Sequence, residues 1–89
     1  MKILIDDKIL FDTEEAKQIA SKKASDGKYG GQYEELYQTL SKTFVLVTMY
    51  VVGPPSAKLL SSDEARQWLE SNRFFGERED LFGPFEKLT

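Results

Sequence analysis

The sequence predicts a small α+β protein, with two helices on one face of a small antiparallel sheet in the order ββαββ(β)α, plus an aromatic C-terminal tail. Three observations favour this class. The stretch 43–52 has the apolar, β-branched composition of a central strand. Two short segments, 12–15 and 61–64, have the spacing of polar and acidic residues that is typical of helix N-termini. The chain of 89 residues has room for one small hydrophobic core.

The first elements of the chain form a predicted β-hairpin. Residues 2–11 contain two short apolar runs that are separated by Asp6-Asp7-Lys8, and polar residues between two such runs suit a tight turn. Strands are therefore expected at about 2–5 and 8–11.

A first helix is predicted directly after the hairpin. Asp12 can act as an N-cap, and Glu15 follows three residues later, as in a capping box. Apolar residues then recur at spacings of three and four, which is the pattern of one helix face. These residues are Ala16, Ile19, Ala20 and Ala24. The Asp26-Gly27 pair is expected to end this helix.

The middle of the chain predicts the main sheet. Residues 27–31 are predicted to form a loop, because three of the five are glycines. Residues 34–39 suit a strand that pairs with 43–52 through a short connection, and the helical spacing of their apolar residues leaves a helix as an alternative. Gly53-Pro54-Pro55 ends the long strand, because proline cannot donate to a sheet ladder. Residues 57–60 are expected to add a short edge strand.

The last predicted helix has the best-marked N-terminus of the chain. Ser61 and Glu64 have the spacing of a capping box. Ala65, Trp68 and Leu69 are expected to form the inward stripe of this helix. Trp68 is therefore predicted to anchor the core, and its indole N–H needs one hydrogen-bond acceptor.

The remaining residues show no clean period but contain four phenylalanines. A solvated tail seldom carries so many aromatic residues. The sequence therefore predicts one α+β domain over residues 1–72 and a C-terminal tail, residues 73–89, which packs on this domain or on a partner.

Three segments of the sequence together carry a resemblance to known proteins. They are Ile9–Ala20, Glu35–Thr39 with the strand that follows, and Leu60–Glu70. This set resembles small uncharacterised proteins of phages, plasmids and other mobile elements. Those proteins have a Tyr-Asp-Thr-x-Thr-Ala-like helix start, a Leu-Tyr-x-Thr hairpin and a Leu-Ser-x-x-Glu-Ala-x-x-Trp-Leu helix.

The resemblance covers about residues 1–72 and has clear departures. The turn Leu40-Ser41-Lys42 replaces a basic Lys-Lys-Gly turn, and Val52-Gly53-Pro54-Pro55 replaces a glycine-rich stretch. No catalytic residue can be carried over from the group. What the resemblance implies is an origin on mobile DNA, where small proteins often bind and block a larger machine, including host defence complexes such as CRISPR.

The side chains that most enzymes use are missing from this sequence. Histidine and cysteine are absent, which removes the commonest general base and the usual zinc ligands. Five acids cluster near the N-terminus, but turn chemistry and a helix start explain them better than catalysis does. They are Asp6, Asp7, Asp12, Glu14 and Glu15. The sequence thus predicts no enzyme, no cofactor and no metal site, and a metal-dependent carboxylate hydrolase is the least favoured alternative.

The charge and the hydropathy of the sequence argue against a nucleic-acid partner and against a membrane span. The net charge of −3 argues against a nucleic-acid partner, because such affinity comes from Lys and Arg that displace counterions. A nucleic-acid-associated regulator remains an alternative that would use Lys22, Lys23, Lys28 and Lys42. Tyr29, Tyr33 and Tyr37 are interpreted as core or interface residues, with base stacking as the alternative. The longest apolar stretch falls short of the roughly 20 residues that a membrane span needs, so a cytoplasmic protein is expected.

The long strand raises the question of what covers its two faces. Alternate residues of a strand point to opposite sides, and two helices can cover only one of them. Either the phenylalanines of the tail cover the second side, or another chain does, because large exposed apolar patches usually mark interfaces. The sequence therefore predicts a protein partner or a homodimer and no small-molecule substrate. The candidate interface residues are Val45, Val47, Met49, Val51, Phe74, Phe75, Phe82 and Phe85.

Overall fold

The computed structural model describes residues 1–25 and 31–88. The described residues form six antiparallel strands in two sheets, followed by two α-helices. The hairpin consists of β1 (Lys2–Ile5) and β2 (Ile9–Asp12). The second sheet contains, in spatial order, β3 (Lys17–Ser25), β4 (Gln32–Gln38), β5 (Phe44–Tyr50) and β6 (Ser56–Leu60). The helices are α1 (Ser62–Ser71) and α2 (Phe75–Phe82). The α+β class is confirmed, whereas the predicted order ββαββ(β)α is wrong.

The N-terminal hairpin is confirmed. Its register pairs Ile5 with Ile9 and Leu4 with Leu10. Asp6 and Asp7 take left-handed φ values of 53° and 56°, a conformation that aspartate tolerates better than most residues. This turn is closed by the Lys8 N–H, which donates to the Ile5 carbonyl at 3.1 Å.

The predicted helix over residues 12–26 is wrong. Asp12 does act as an N-cap, since its side chain accepts from the Glu14 N–H at 3.0 Å, but it starts only one 3-10 turn, Thr13–Glu15. The chain then continues as β3, which pairs with β4 along its length. A register shift between Gln18 and Ala20 leaves Ile19 as an extra residue, and Ile19 and Ala20 both face the same core. Such a bulge breaks the two-residue period of a strand, and Ala16, the first residue of the predicted helical stripe, packs against the opposite core.

The remaining predicted strands are confirmed with shifted bounds. Residues 32–38 are strand rather than the alternative helix. The long strand covers 44–50, and 51–53 form a bend beyond it. The edge strand lies at 56–60. The predicted end of the first helix at Asp26-Gly27 and the predicted loop up to residue 30 lie outside the described residues.

The predicted capping box of α1 is confirmed. The Glu64 N–H donates to Ser61 Oγ at 3.1 Å, and the Ser61 N–H donates to Glu64 Oε1 at 2.9 Å. The bond from the Ser61 backbone favours the charged carboxylate and lowers the pKa of Glu64. Trp68 packs against the core, and among the described residues its buried indole N–H finds no acceptor. The second helix, α2, lies in the segment for which the sequence predicts no regular element.

The four-stranded sheet is the middle of three layers. On one side the helices cover a core whose buried members are Ala20, Leu36, Phe44, Leu46, Leu60, Ala65 and Leu69. On the other side the β1–β2 hairpin covers a second core, made of Ile3, Ile5, Phe11, Tyr37, Val45 and Val47. Both faces of the long strand are therefore covered within one chain, one by helices and one by the hairpin.

Candidate protein-binding surface

The predicted interface residues lie on opposite sides of the sheet. Val45 and Val47 are 1% and 0% exposed beneath the hairpin, and Met49 is half-buried beside them. Val51 is exposed in the bend beyond β5. The four phenylalanines lie on the side of the molecule that carries the helices. They are Phe74, Phe75, Phe82 and Phe85. The structure thus does not bring this set together into one surface.

Most of these phenylalanines contact other parts of the same chain. The ring of Phe74 stacks on Trp68 at a centroid distance of 5.6 Å, and Phe82 stacks on Phe44 at 5.8 Å. Phe75 and Phe85 pack edge to face at 5.6 Å. Their aromatic area is therefore used mainly in the layer formed by the helices.

Arg78 of α2 contacts both α1 and the residues that follow α2. Its Nε donates to Glu70 Oε2 of α1 at 2.8 Å, and its Nη1 donates to the Gly83 carbonyl at 2.7 Å. The guanidinium also lies 4.1 Å from the centroid of the Phe85 ring, within the range of a cation–π contact. The bond from Arg78 is the main reason why the pKa of Glu70 lies below its ordinary value.

A different apolar surface surrounds strand β2. Leu4 and Leu10 are cross-strand partners on the outer face of the hairpin and are 58% and 60% exposed. Leu40, at the tip of the β4–β5 turn, is 90% exposed, and Ile9 and Leu59 are each about half exposed. Exposed apolar residues that cluster in space are a stronger sign of an interface than single ones.

Two adjoining cavities separate β2 from the β4–β5 turn, residues 39–43. Their volumes are about 310 and 290 Å³. We name them together the β2 groove, and the residues that line both are Leu10, Phe11, Thr39 and Ser41. The wall formed by the turn is well fixed, since the Thr39 N–H donates to the Thr43 carbonyl at 2.9 Å and the Thr43 N–H donates to Thr39 Oγ1 at 3.1 Å.

The backbone edge of β2 differs from the other sheet edges. Among the described strands β2 is hydrogen-bonded only to β1, so its second edge has no strand partner. Strands β1 and β6 also have one edge each without a hydrogen-bonded strand, and these two strands contact each other. The β3 edge carries two register shifts and several lysines, features that discourage pairing with another chain. By contrast, the run Ile9-Leu10-Phe11 at the β2 edge carries no charge.

Sequence reasoning missed the β2 surface although its signal is present. The segments Ile3-Leu4-Ile5 and Ile9-Leu10-Phe11 are apolar at every position. A hairpin built from them must expose apolar residues on its outer face if its inner face covers a core. The alternation of side chains along the two strands places Leu4 and Leu10 together on that outer face.

The acidic residues near the N-terminus have structural surroundings. Asp6 and Asp7 form the hairpin turn, and Asp12 accepts from the Glu14 N–H. Across residues 1–25 and 31–88, no group of three or more acids is close enough to hold a metal ion.

Of the lysines and tyrosines of the alternative nucleic-acid site, Lys23 and Tyr33 are cross-strand partners on β3 and β4. Lys22 pairs with Glu34 at 3.8 Å and donates to Asn72, the C-cap of α1, while Lys42 lies in the β4–β5 turn. Tyr37 is buried beneath the hairpin, and Tyr33 is exposed. Lys28 and Tyr29 lie outside the described residues. Neither of the helices that the structure describes is long and apolar enough to cross a membrane.

Comparisons with protein-family models, with curated protein sequences and with solved structures give no significant match.

Proposed function

We propose that this protein is a non-enzymatic protein-binding module and that its binding surface is the β2 groove with the free edge of β2. The observation that carries the proposal is the combination of an unpaired strand edge, in which the run Ile9-Leu10-Phe11 is uncharged, with exposed leucines beside a groove. A strand edge offers backbone donors and acceptors to an extended segment, and neighbouring apolar side chains add affinity and specificity. Leu10 lies at the centre of this surface and lines both cavities.

The biological setting of the proposal is a phage or another mobile element. The resemblance over residues 1–72 supports this origin, and small proteins of such elements often block larger host machines. On this proposal the target is a component of a host defence complex such as CRISPR, and the bound segment adds to the sheet beside β2.

Binding can be tested with a tagged chain and two exposed-residue variants. Leu10→Arg places a charge at the centre of the β2 surface, whereas Val52→Arg places the same charge at an exposed position in the bend beyond β5. We expect the wild type and Val52→Arg to retain the same protein from lysates of the host, as identified by mass spectrometry, and Leu10→Arg to lose it. Retention of the same protein by all three chains would contradict a role of this surface.

The same variants test inhibition of host defence. In a CRISPR-competent host that expresses the wild type or Val52→Arg, we expect a targeted phage to form more plaques than in the host alone, and Leu10→Arg to lose this effect. Steeply salt-dependent binding of DNA or RNA that Leu10→Arg leaves intact would instead favour the alternative regulator, since such binding rests on Lys and Arg.

A further inference from the structure

We infer that the β2 surface binds a second copy of this chain, so that two hairpins join edge to edge into one four-stranded antiparallel sheet. This inference rests on the proposed function, because it assigns a second occupant to the same surface: the chain pairs with its own copy when no target segment is bound beside β2. It is argued from the self-complementarity of the residues along β2 and from the state of the other strand edges.

One register of β2 against a second β2 matches residues of like chemistry. In a two-fold symmetric antiparallel pair, the residue numbers of any two opposite residues add up to the same value. Opposite residues also lie on the same face of the sheet. Pairing centred on Leu10 sets Leu10 against its own copy and Ile9 against the second Phe11. Centring on Ile9 or on Phe11 instead would place Leu10 opposite Lys8 or Asp12.

The charges that flank β2 favour the same register. When Leu10 lies on the two-fold axis, Lys8 of each copy is opposite Asp12 of the other. Within each hairpin Asp12 is already the cross-strand partner of Lys2. Lysine and aspartate would therefore alternate along one row across the joined sheet, and opposite charges in facing positions stabilise a strand pair.

The exposed leucines form a second matching row. Leu4 is the cross-strand partner of Leu10, and both point away from the core. Pairing at Leu10 would align four leucines across four strands, two from each copy. Cross-strand apolar contacts of this kind contribute to sheet stability, so the dimer would use apolar area that each copy exposes alone.

The other edges of the described strands do not offer the same opportunity. The β3 edge is irregular and rich in lysine, and β6 and β1 contact each other. A second copy is favoured over an unrelated peptide because the charge sequence of the edge, Lys8 to Asp12, is complementary to itself when reversed.

A cysteine placed on the two-fold axis tests this register directly. The chain contains no cysteine, so each single substitution introduces one thiol per copy. Directly opposite residues of an antiparallel pair have Cα atoms about 4.5–5.5 Å apart, which is within the range of a disulfide. We expect Leu10→Cys to form a disulfide-linked dimer in mild oxidant, detected on a non-reducing gel.

Two further cysteine variants serve as matched controls. Leu4→Cys has nearly the same exposure as Leu10→Cys, but in the joined sheet the two copies of residue 4 lie three strand spacings apart, or about 14 Å. Lys8→Cys faces Asp12 rather than its own copy. We expect neither to cross-link efficiently, and a Lys8→Cys or Leu4→Cys dimer in place of the Leu10→Cys dimer would overturn the inference.

The mass in solution provides a second readout without cysteine. Light scattering is expected to give a concentration-dependent mass that approaches twice the 10.2 kDa of one chain. Leu10→Arg sets two like charges against each other on the axis and should weaken the dimer by at least about tenfold, while Leu4→Arg should weaken it far less. Equal weakening by both variants would overturn the Leu10-centred pairing.

The two proposals fail in different ways. A wild type that stays monomeric at all concentrations, and whose Leu10→Cys variant does not cross-link, overturns the dimer. If Leu10→Arg still loses a captured host protein in that case, the β2 surface keeps its proposed function and only its partner changes. A dimer that forms as described, while Leu10→Arg captures the same host proteins as the wild type, leaves the inference standing and removes the heterologous target.

Discussion

At the scale of single residues, Tyr37 shows how the hairpin changes the chemistry of the sheet beneath it. Its ring packs edge to face on Phe11 of β2, with centroids 5.6 Å apart. Its hydroxyl donates to Glu35 Oε1 at 3.1 Å. Burial, followed by the bond to this carboxylate, disfavours the tyrosinate and raises the pKa of Tyr37 to about 12 from 10.0.

Tyr37→Phe should therefore change the pH dependence of stability. The unfolded chain releases this proton near pH 10 and the folded chain near pH 12, so rising pH between these values favours unfolding of the wild type. Below pH 10 we expect the variant to be less stable by about 1 kcal/mol, for the lost hydrogen bond. The difference should shrink and reverse as the pH approaches 12. Urea unfolding at several pH values would measure it, and a constant difference throughout would contradict the expectation.

At the scale of elements, the C-terminal end of α1 requires one residue in a strained, left-handed backbone conformation. The Phe74 N–H donates to the Leu69 carbonyl at 2.8 Å and the Arg73 N–H donates to the Glu70 carbonyl at 3.1 Å, which together form a Schellman motif. This motif needs a left-handed residue after the C-cap, and Arg73 supplies it with a φ of 62°. A residue with a Cβ atom is strained there, whereas glycine is not.

Arg73→Gly is thus expected to stabilise the protein by about 0.5–1 kcal/mol, since the relief of strain exceeds the entropy that glycine adds to the unfolded chain. Ser71→Gly is the matched control, because it introduces glycine inside the same last turn and should destabilise by about 0.5–1 kcal/mol. Thermal unfolding would compare the two variants. Destabilisation by both would show that Arg73 does not cap the helix in this way.

The elements also differ in how well the sequence predicts them. The Ser61 capping box is local, and its helix follows as expected. Asp12 has the same local signature and does cap a turn, but the next residues gain more from pairing with β4 than a short alanine-rich helix would give. The bulge at Ile19 conceals this outcome, because it places the consecutive residues Ile19 and Ala20 on one face and so breaks the two-residue period of a strand.

At the scale of the whole molecule, the sequence shows that both faces of the long strand need cover, but it does not show which elements cover them. The doubly apolar long strand does require cover on both sides, and two helices cover one of them, but only α1 of these two was predicted as a helix. What covers the other face is a question of tertiary placement that residue periods do not encode. The phenylalanines pack beside α1, and the hairpin takes the opposite face. Its outer leucines are left exposed as a consequence, which is why the candidate surface lies at Leu10 rather than at Val47.

Paired substitutions in β1 test this three-layer arrangement. Ile5 is 2% exposed in the core beneath the hairpin, whereas the adjacent Leu4 is 58% exposed on the outer face. Ile5→Ala should lower the free energy of unfolding by about 2–4 kcal/mol, because it leaves a cavity against the sheet. Leu4→Ala should change it by less than about 0.5 kcal/mol. Urea unfolding at a low protein concentration keeps dimerisation from adding to either value. Effects of equal size would mean that the hairpin does not close the second face, and that another chain must.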